Sequence, residues 1–455
     1  MSVTDRTGAD HHPRPWAGRR LHVLGIAGAG MSALAVLARG LGAEVSGSDR
    51  SESRYLAGVR EAGIAVTIGH DAANVPDGEV EVVHSTAIPE DNPERVEARR
   101  RGLPDLSRHA LLRDVCAAHR VIAVAGAHGK TTTSAMTVHA LQGAGEDPSY
   151  LVGGILRSTG RNVHRGTSPW LVVEADESDR SFLETHPEIA VVTSVELDHH
   201  GTYGSRADLE DAFRRFLGQA GERIVWDRRE LDRVLPAPDS GRTRRYDVAE
   251  LHAADGTSRF QWEGRDVALR QPGIHNAWNA TAALTAAALA GADPARAAAA
   301  MIDFPGTGRR FEQVGVGPAG VPVIDDYAHH PTEVARTIEA ARSLAPRRVV
   351  AVFQPHLYSR TQLLAGAFGT ALALADVICV LDVYPARERA ADFPGIDGRT
   401  IARAAADAAG GRTVLWLPTI ADAVARLPSV LREGDLCLCM GAGDVDAVAR
   451  GLVGD

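Results

Sequence analysis

Lysine is almost absent from this chain: among 49 lysine and arginine residues, Lys130 is the one lysine. A general preference for arginine accounts for the others, and it makes the exception informative, because an ammonium and a guanidinium differ in shape and hydration. A single lysine falling at random among the basic positions would land on that site only about 2% of the time. Cysteine is scarce as well. Cys116, Cys379, Cys437 and Cys439 show neither zinc-ligand spacing nor the density of a secreted disulfide framework, which points to a reducing cytoplasm. No apolar run is long enough to cross a bilayer, since the longest weakly polar stretch, Ala280 to Ala290, is short and alanine-rich. The first twenty residues have no apolar centre, so they read as a disordered tail over 1–20 and not as a signal or an anchor. Positive charge is not in excess either: 49 basic residues face 58 acidic ones, a net charge of −9. That balance argues against nucleic acid or a membrane surface as a partner.

What remains is ordinary globular composition, 45% hydrophobic and 24% charged, in 455 residues. Such a length suggests about three domains. From Leu21 the order is strand, glycine turn, helix and a second strand ending near Ser48 and Asp49. This α/β pattern runs to Cys116, and the strand VIAVAG opens a second unit at Val121. Apolar runs Leu171 to Val173 and Ile189 to Val195 each end in acids or histidines. Residues 223–269 read as small strands and loops of unassigned order, and an alanine-rich helix is expected from Asn276 to Ala290. FPGTGRR, Phe304 to Arg310, reads as a linker because proline and paired glycines break any periodicity. Strands at Val323–Asp325, Val349–Phe353, Val377–Val383, Val414–Leu417 and Leu436–Met440 then alternate with helices. The expected class is α/β in three parts: 21–116, 117–308 and 309–455.

Two glycine turns carry phosphate chemistry. Gly28-x-Gly30-x-x-Ala33, with Asp49 at the end of the next strand, has the pattern that brings a diphosphate to a helix N-terminus. Gly126-Ala127-His128-Gly129-Lys130-Thr131-Thr132 is a shortened phosphate loop, with Val124 where the longer pattern has its first glycine. Its backbone N–H groups can cradle phosphate, Lys130 can neutralise it, and a threonine hydroxyl can ligate Mg²⁺. Glu174, first after a buried strand, suits the magnesium of bound ATP. Asp176, Glu177 and Asp179 behind it are equally well explained as an acidic loop capping a helix. His199, beside Asp198 and Glu196, is the candidate for a second hard cation. His275, Asn276 and Asn279 gather at one helix end, where an asparagine can read an adenine edge or merely cap the helix. DDYAHHPTE, 325–333, and FQPHLYSRT, 353–361, are dense polar loops after strands, although His329 and His330, being adjacent, cannot both face one ligand.

GIAGAGMS, GAHGKTTT, EADESD, DHH, GIHNAWN, GRRFE, DDYAHHPTE, FQPHLYSRT and GAGD, in this order from Leu21 to Asp444, resemble the ATP-dependent Mur ligases. The likeness is strongest to the branch that adds L-alanine to UDP-N-acetylmuramate. It implies an N-terminal Rossmann-like UDP-sugar domain, a central phosphate-loop ATPase domain and a C-terminal Rossmann-like domain that closes on the amino-acid and ATP sites. It implies an ADP-forming reaction in cytoplasmic peptidoglycan precursor synthesis, with ATP and Mg²⁺ required and an acyl phosphate as intermediate. By the same resemblance Gly126, His128, Gly129, Lys130, Thr131, Thr132, His275, Asn276, Asn279, Arg310 and Asp326 bind ATP. Gly28, Ala29, Gly30, Met31, Ser32, Ser48, Asp49, His70, Ser85 and Thr86 line the UDP-sugar site. Thr131, Glu174 and His199 hold metal, Tyr327, His329 and Arg360 form the amino-acid site, and Lys130, His199, His329 and Arg360 are the catalytic candidates. The partners implied are UDP-N-acetylmuramate and L-alanine, with the chain a monomer or weak homodimer.

Three positions depart from the family pattern. Leu357 stands where many members carry arginine, and Ser194 and Gly201 replace the usual asparagine and aspartate near the second metal. The carbamylated lysine of other Mur ligases is excluded in a chain whose only lysine is Lys130. Other readings explain less. A nicotinamide-dependent oxidoreductase accounts for the first glycine turn alone, and an ATP-driven switch protein for the second. A recycling ligase that joins the same UDP-sugar to a tripeptide shares nearly every motif.

Overall fold

The computed structural model describes residues 14–196, 202–237, 239, 241–254 and 257–454. The chain divides into two compact units, one made of 1–155, 160–246 and 282–297, the other of 156–159, 247–281 and 298–455. No described helix is long and apolar enough to cross a membrane.

The first unit holds two sheets. Strands β1 (Arg20–Leu24), β2 (Glu44–Asp49), β3 (Ala65–Ile68), β4 (Glu81–His84) and β5 (Asp105–Ser107) form a parallel sheet in the order β3-β2-β1-β4-β5. Helices α1 (Ala29–Gly40), α2 (Leu56–Glu61), α3 (Pro93–Arg100) and α4 (Arg108–Ala117) connect or follow the strands. Leu21, Val23 and Leu24 are all essentially solvent-free, as expected of a parallel strand covered on both faces. The strand order reverses between β1 and β4, so their carboxyl ends splay apart at the place where open α/β sheets bind ligands.

The second sheet has the order β12-β11-β10-β6-β9-β7-β8. Its strands are β6 (Arg120–Ala125), β7 (Ser149–Leu156), β8 (Arg161–His164), β9 (Trp170–Glu174), β10 (Ile189–Val192), β11 (Glu222–Trp226) and β12 (Thr243–Tyr246), with helices α5 (Lys130–Ala144) and α6 (Arg206–Gln219). Apolar residues of α4, Leu111, Leu112 and Val115, belong to the same core as Val121, Val173 and Phe182, so this helix joins the two sheets. The region 223–269, unordered at the level of sequence, thus splits. Its first part completes the parallel sheet as β11 and β12, and its second is an antiparallel meander, β13 (His252–Ala254), β14 (Thr257–Trp262) and β15 (Arg265–Leu269).

The meander lies in the second unit, as does the start of helix α7 (Ile274–Leu289); α8 (Pro294–Ala300) follows. The remaining sheet runs β16-β17-β21-β18-β19-β20: β16 (Glu312–Val316), β17 (Pro322–Asp326), β18 (Arg348–Phe353), β19 (Val377–Val380), β20 (Thr413–Trp416) and β21 (Asp435–Met440). Helices α9 (Pro331–Ser343), α10 (Tyr358–Leu372), α11 (Gly398–Ala408), α12 (Ile420–Arg426) and α13 (Asp446–Val453) complete it. All five expected strands are present, and β16 adds an antiparallel edge that no apolar alternation announced.

Two segments read as loose are held. Residues 1–13 lie outside the described residues, but of the expected tail Trp16 donates its N–H to Leu41 O at 3.1 Å, and Arg19 bonds both Glu81 and Asp114 at 2.7 Å. The expected linker 304–310 is anchored at its end. Arg309, at φ 57°, reaches Asp325 Oδ2 at 3.0 Å and donates to the carbonyls of Gly441 and Gly443 at 2.8 and 2.9 Å.

Candidate functional site

In the first unit, β1 runs into the turn Gly25–Gly28 and then α1. Gly28 is exposed at the N-cap, and Ala29 and Gly30 are half-buried behind it, so backbone N–H groups of the first turn face outward. Met31 and Ser32 are buried, and the Ser32 hydroxyl donates back to Ala29 O at 3.0 Å. Asp49 Oδ2 accepts the Ala27 N–H at 2.8 Å and so fixes the turn itself. Ser85 is half-buried and Thr86 exposed at the end of β4, across the strand-order reversal.

Ser48 and His70 meet on a buried carboxylate. Ser48 is fully buried, and its hydroxyl donates to Glu94 at 2.8 Å. Glu94, on α3 and fully buried, also faces His22 Nε2 at 2.8 Å, His70 Nδ1 at 3.0 Å and Asn74 Nδ2 at 3.1 Å. Burial by itself would push this carboxyl up, but hydrogen bonds from His22, Ser48, Asn74 and His70 outweigh it and hold Glu94 down to about 2. An ionised buried carboxylate therefore ties together β1, β2, α3 and the segment after β3. Sequence reasoning missed Glu94. The only available signal was an acid in the first turn of a helix, which ordinarily needs no further explanation.

The second glycine turn follows β6. Gly126 has φ 136°, and a Cβ there would lie 2.2 Å from Thr193 Oγ1, so only glycine fits. Ser194 supports the loop: its hydroxyl accepts His128 N–H at 3.0 Å and its carbonyl accepts Ala127 N–H at 3.2 Å. His128 Nε2 lies 3.2 Å from Glu196 Oε2. Gly129 caps α5 in the left-handed conformation, and Lys130, Thr131 and Thr132 form the first turn. Lys130 Nζ donates to Gly126 O at 2.7 Å and to both oxygens of Glu177 at 2.9 Å. Burial disfavours the ammonium, yet Glu177, Asp176 and Glu174 hold the Lys130 pKa above its ordinary value. Lys130 is a charged group gripped by carboxylates at the mouth of a phosphate loop.

Thr131 Oγ1 donates to Glu174 Oε1 at 2.8 Å, and Gly153 N–H donates to Glu174 Oε2 at 2.6 Å. A Cβ on Gly153 would sit 2.8 Å from that carboxylate, so the absence of a side chain there leaves Glu174 its room. A hydroxyl and a carboxylate in contact at the loop are a hard oxygen set that fits a magnesium ion. His199 and Gly201 lie outside the described residues. The acids after Glu174 are not a solvated cap: Glu177 is buried on Lys130, and Asp179 binds Arg108 at 2.7 Å and His109 at 3.3 Å.

In the second unit, His275 stands in the first turn of α7, where burial and then Arg336 push it down to about 4, so it is neutral at pH 7. Asn276 is buried, and its Nδ2 donates to Pro272 O at 2.8 Å, which makes it a brace of the helix start; Asn279 is buried one turn on. Asp326, also buried, accepts the N–H groups of Phe311 at 2.7 Å and Ala328 at 2.8 Å, and burial raises its pKa. Arg310 and Arg309 both lie over the Tyr327 ring at 5.2 Å.

The two loops after β17 and β18 meet. His329 packs edge-on against Tyr327 at 5.4 Å and His356 at 6.0 Å, while His356 stacks on Tyr384 at 5.8 Å. Arg360 NH1 lies 3.1 Å from His356 Nδ1. Burial brings His329 and His356 each down to about 4. His330 turns away to cap α9, accepting Thr332 N–H, so the adjacent histidines do divide their tasks. Leu357, where an arginine was expected, caps α10 at φ 70°, a region L side chains rarely adopt. His356 and Tyr384 were not among the expected site residues; His356 sits in a quoted motif, and nothing local singles out Tyr384.

A parallel sheet ending in a lysine-bearing phosphate loop defines a nucleotide-using α/β protein. Residues 20–120 match the family described as Mur ligase family, catalytic domain, 124–287 the Mur ligase middle domain, and 309–443 the Mur ligase, glutamate ligase domain. The chain belongs to the Mur ligase family. It is 42% identical to a UDP-N-acetylmuramate–L-alanine ligase of Mycobacterium sp. (strain JLS), covering 97% of this chain and 96% of that one. A protein of the same name from Nitratidesulfovibrio vulgaris is 38% identical over 96% and 98% of the two chains. Among solved structures, UDP-N-acetylmuramate-alanine ligase of Thermotoga maritima superposes with a TM-score of 0.78 at 29% identity, covering 96% and 98% of the chains. A murein peptide ligase of Psychrobacter arcticus gives 0.65 at 25% identity, with the same coverage.

Proposed function

We propose that the protein is an ADP-forming ligase that joins L-alanine to the lactyl carboxylate of UDP-N-acetylmuramate in cytoplasmic peptidoglycan precursor synthesis. The observation that carries this is the phosphate loop, where the sole lysine of the chain is held charged between Gly126 O and Glu177. Identity of 42% across nearly the whole chain to a ligase of that name supports alanine over a tripeptide as acceptor. The expected segments 21–116, 117–308 and 309–455 are assigned to UDP-sugar, ATP and amino-acid handling. The chain acts as a monomer or weak homodimer, without nucleic acid or membrane.

The chemistry is two displacements. A carboxylate oxygen of the sugar's lactyl group attacks the γ-phosphorus of ATP, and ADP leaves. The alanine nitrogen then attacks the acyl carbon of the resulting acyl phosphate, and phosphate leaves as the amide forms. A weak anionic nucleophile approaching a polyanion needs positioning and neutralisation above all. Lys130 supplies a fixed cation, and the N–H groups at the start of α5 supply oriented dipoles. Thr131 and Glu174 would hold Mg²⁺, which when bound adds positive charge at the phosphates. His275, Asn276 and Asn279 are assigned to the adenine, with Arg310 and Asp326 towards the ribose. Asn276 and Asp326 act through the backbone they brace. His329, neutral at pH 7, can accept a hydrogen bond from the alanine nitrogen and orient it, and Arg360 and Tyr327 complete that site.

The test is release of ADP and phosphate with UDP-N-acetylmuramate, Mg-ATP and L-alanine, omitting each in turn. Release that requires both the UDP-sugar and alanine is expected. Release with a tripeptide alone assigns the recycling reaction, and release from ATP alone assigns a switch protein.

A further inference from the structure

Arg108 opens helix α4, 78 residues after the first glycine turn, yet its side chain lies on that turn. A Cβ built on Gly30 would be 3.0 Å from Arg108 Nε and 3.2 Å from NH2. Gly30 is the second residue of α1, whose free N–H groups already give that end positive character. A guanidinium beside a helix N-terminus is an unfavourable pairing of like charge unless an anion answers both. One anion is present: Asp179, from the acidic stretch after β9, accepts from Arg108 NH1 at 2.7 Å. Its other oxygen accepts Ser181 N–H at 2.9 Å and its first also faces His109 at 3.3 Å, so Asp179 is already shared. Among the described residues Nε and NH2 of Arg108 donate to no protein acceptor, and they are the two atoms nearest Gly30. The side chain remains 21% exposed. A planar fork with one arm tied and two donors directed at a glycine turn suits a bidentate grip on a phosphate.

We propose that Arg108 is a clamp for the diphosphate of the UDP-sugar, and that Asp179 is a protein anion that holds one arm of the guanidinium without being needed for the grip. The proposal rests on the reading that the diphosphate sits at the Gly28–Gly30 turn. The fork of Arg108 then joins the α1 N–H groups in holding the phosphate oxygens. Because Asp179 belongs to the same stretch as Glu174 and Glu177, the clamp links the UDP-sugar site to the carboxylates that hold the phosphate loop. No bond is made or broken in this role.

The test is calorimetric titration of the full chain with UDP and, separately, uridine. R108A is expected to weaken UDP about 10- to 100-fold, the range of a charge-assisted pair, and to leave uridine unchanged. R108K, which keeps the charge but loses the fork, falls between. In turnover, R108A raises KM for the UDP-sugar and leaves KM for ATP unchanged. D179N breaks the same ion pair while keeping the guanidinium, so it retains UDP binding or tightens it; equal weakening by D179N and R108A would reduce Arg108 to a structural tie and overturn the clamp. G28D tests the underlying reading separately, since aspartate is a good N-cap but sets negative charge at the turn. If G28D still binds UDP, the diphosphate is elsewhere and both readings fall. If G28D abolishes UDP binding while R108A does not weaken it, only the clamp is refuted.

Discussion

Replacing Glu94 by glutamine should loosen the first sheet by an amount the structure allows one to work out. The ordinary glutamate value of 4.5 falls to about 2 at Glu94, which corresponds to about 3.4 kcal/mol of stability when the group is ionised in both states. The sign is that of a depressed carboxyl: the contribution is complete above pH 4.5, and it is lost as pH falls towards 2. At pH 3 about 1.4 kcal/mol of it remains. Glu94→Gln removes the charge that four donors share and turns an amide N–H₂ towards groups that themselves donate, so the expected cost at pH 7 is about 3 kcal/mol. The chain holds several sheets and need not unfold in one step. The suitable readout is therefore amide hydrogen exchange along β1 and β2, where Val23, Leu24 and Ser48 are solvent-free. Opening free energies there should drop by about that amount at pH 7, and the gap from the parent chain should roughly halve at pH 3. Exchange in the variant within about 0.5 kcal/mol of the parent at pH 7 would refute the account, because the carboxylate would then not be ionised in its network.

Lys130→Arg should lower ligation about a thousand-fold or more, because a planar fork cannot occupy the pocket between Gly126 O and Glu177; the readout is kcat for ADP release. Glu177→Gln takes from a buried ammonium the carboxylate it is bonded to and should destabilise the unit by about 3 kcal/mol in urea. Mg-ATP should stabilise this variant more than the parent, and equal stabilisation would remove Lys130 from the phosphate site. Gly126→Ala, which sets a methyl 2.2 Å from Thr193 Oγ1, should abolish ATP binding in a titration while circular dichroism stays native. His329 and His356, both at about 4, bind no proton in the folded chain where unfolded imidazoles do, so stability should rise with pH from about 4 to 6.5 through each of them. Their ring nitrogen shifts should stay at neutral values from pH 8 down to 5, and titration of either near 6.5 would show that burial does not govern them.

The parts legible in the sequence are those whose chemistry is contiguous. Gly126 to Thr132 and Gly28 to Ala33 each bring a turn, a helix start and their donors within one short segment, so spacing alone specifies the geometry. Strands β17, β18, β19 and β21 of the last sheet were readable for a similar reason, since a strand buried on both faces is a continuous apolar run; β20 was read from its apolar residues although it lies at an edge and is only partly covered. Strands β8 and β16 carry no such run, because they lie at sheet edges and are only partly covered. The adjacency of His329 and His330 also settled locally that one must turn away, and His330 does so as a helix cap.

By itself, then, the sequence determined the two glycine turns, the place of its single lysine in the second of them, and the α/β order that carries both. Tertiary structure decided what holds those residues in place. Glu94 gathers His22, Ser48, His70 and Asn74 from segments far apart in the chain. Asp179 and Glu177, alike in sequence, face different cations because the stretch after β9 passes both Arg108 and Lys130. A buried carboxylate must find its donors wherever folding brings them, and sequence distance places no restriction on which they are.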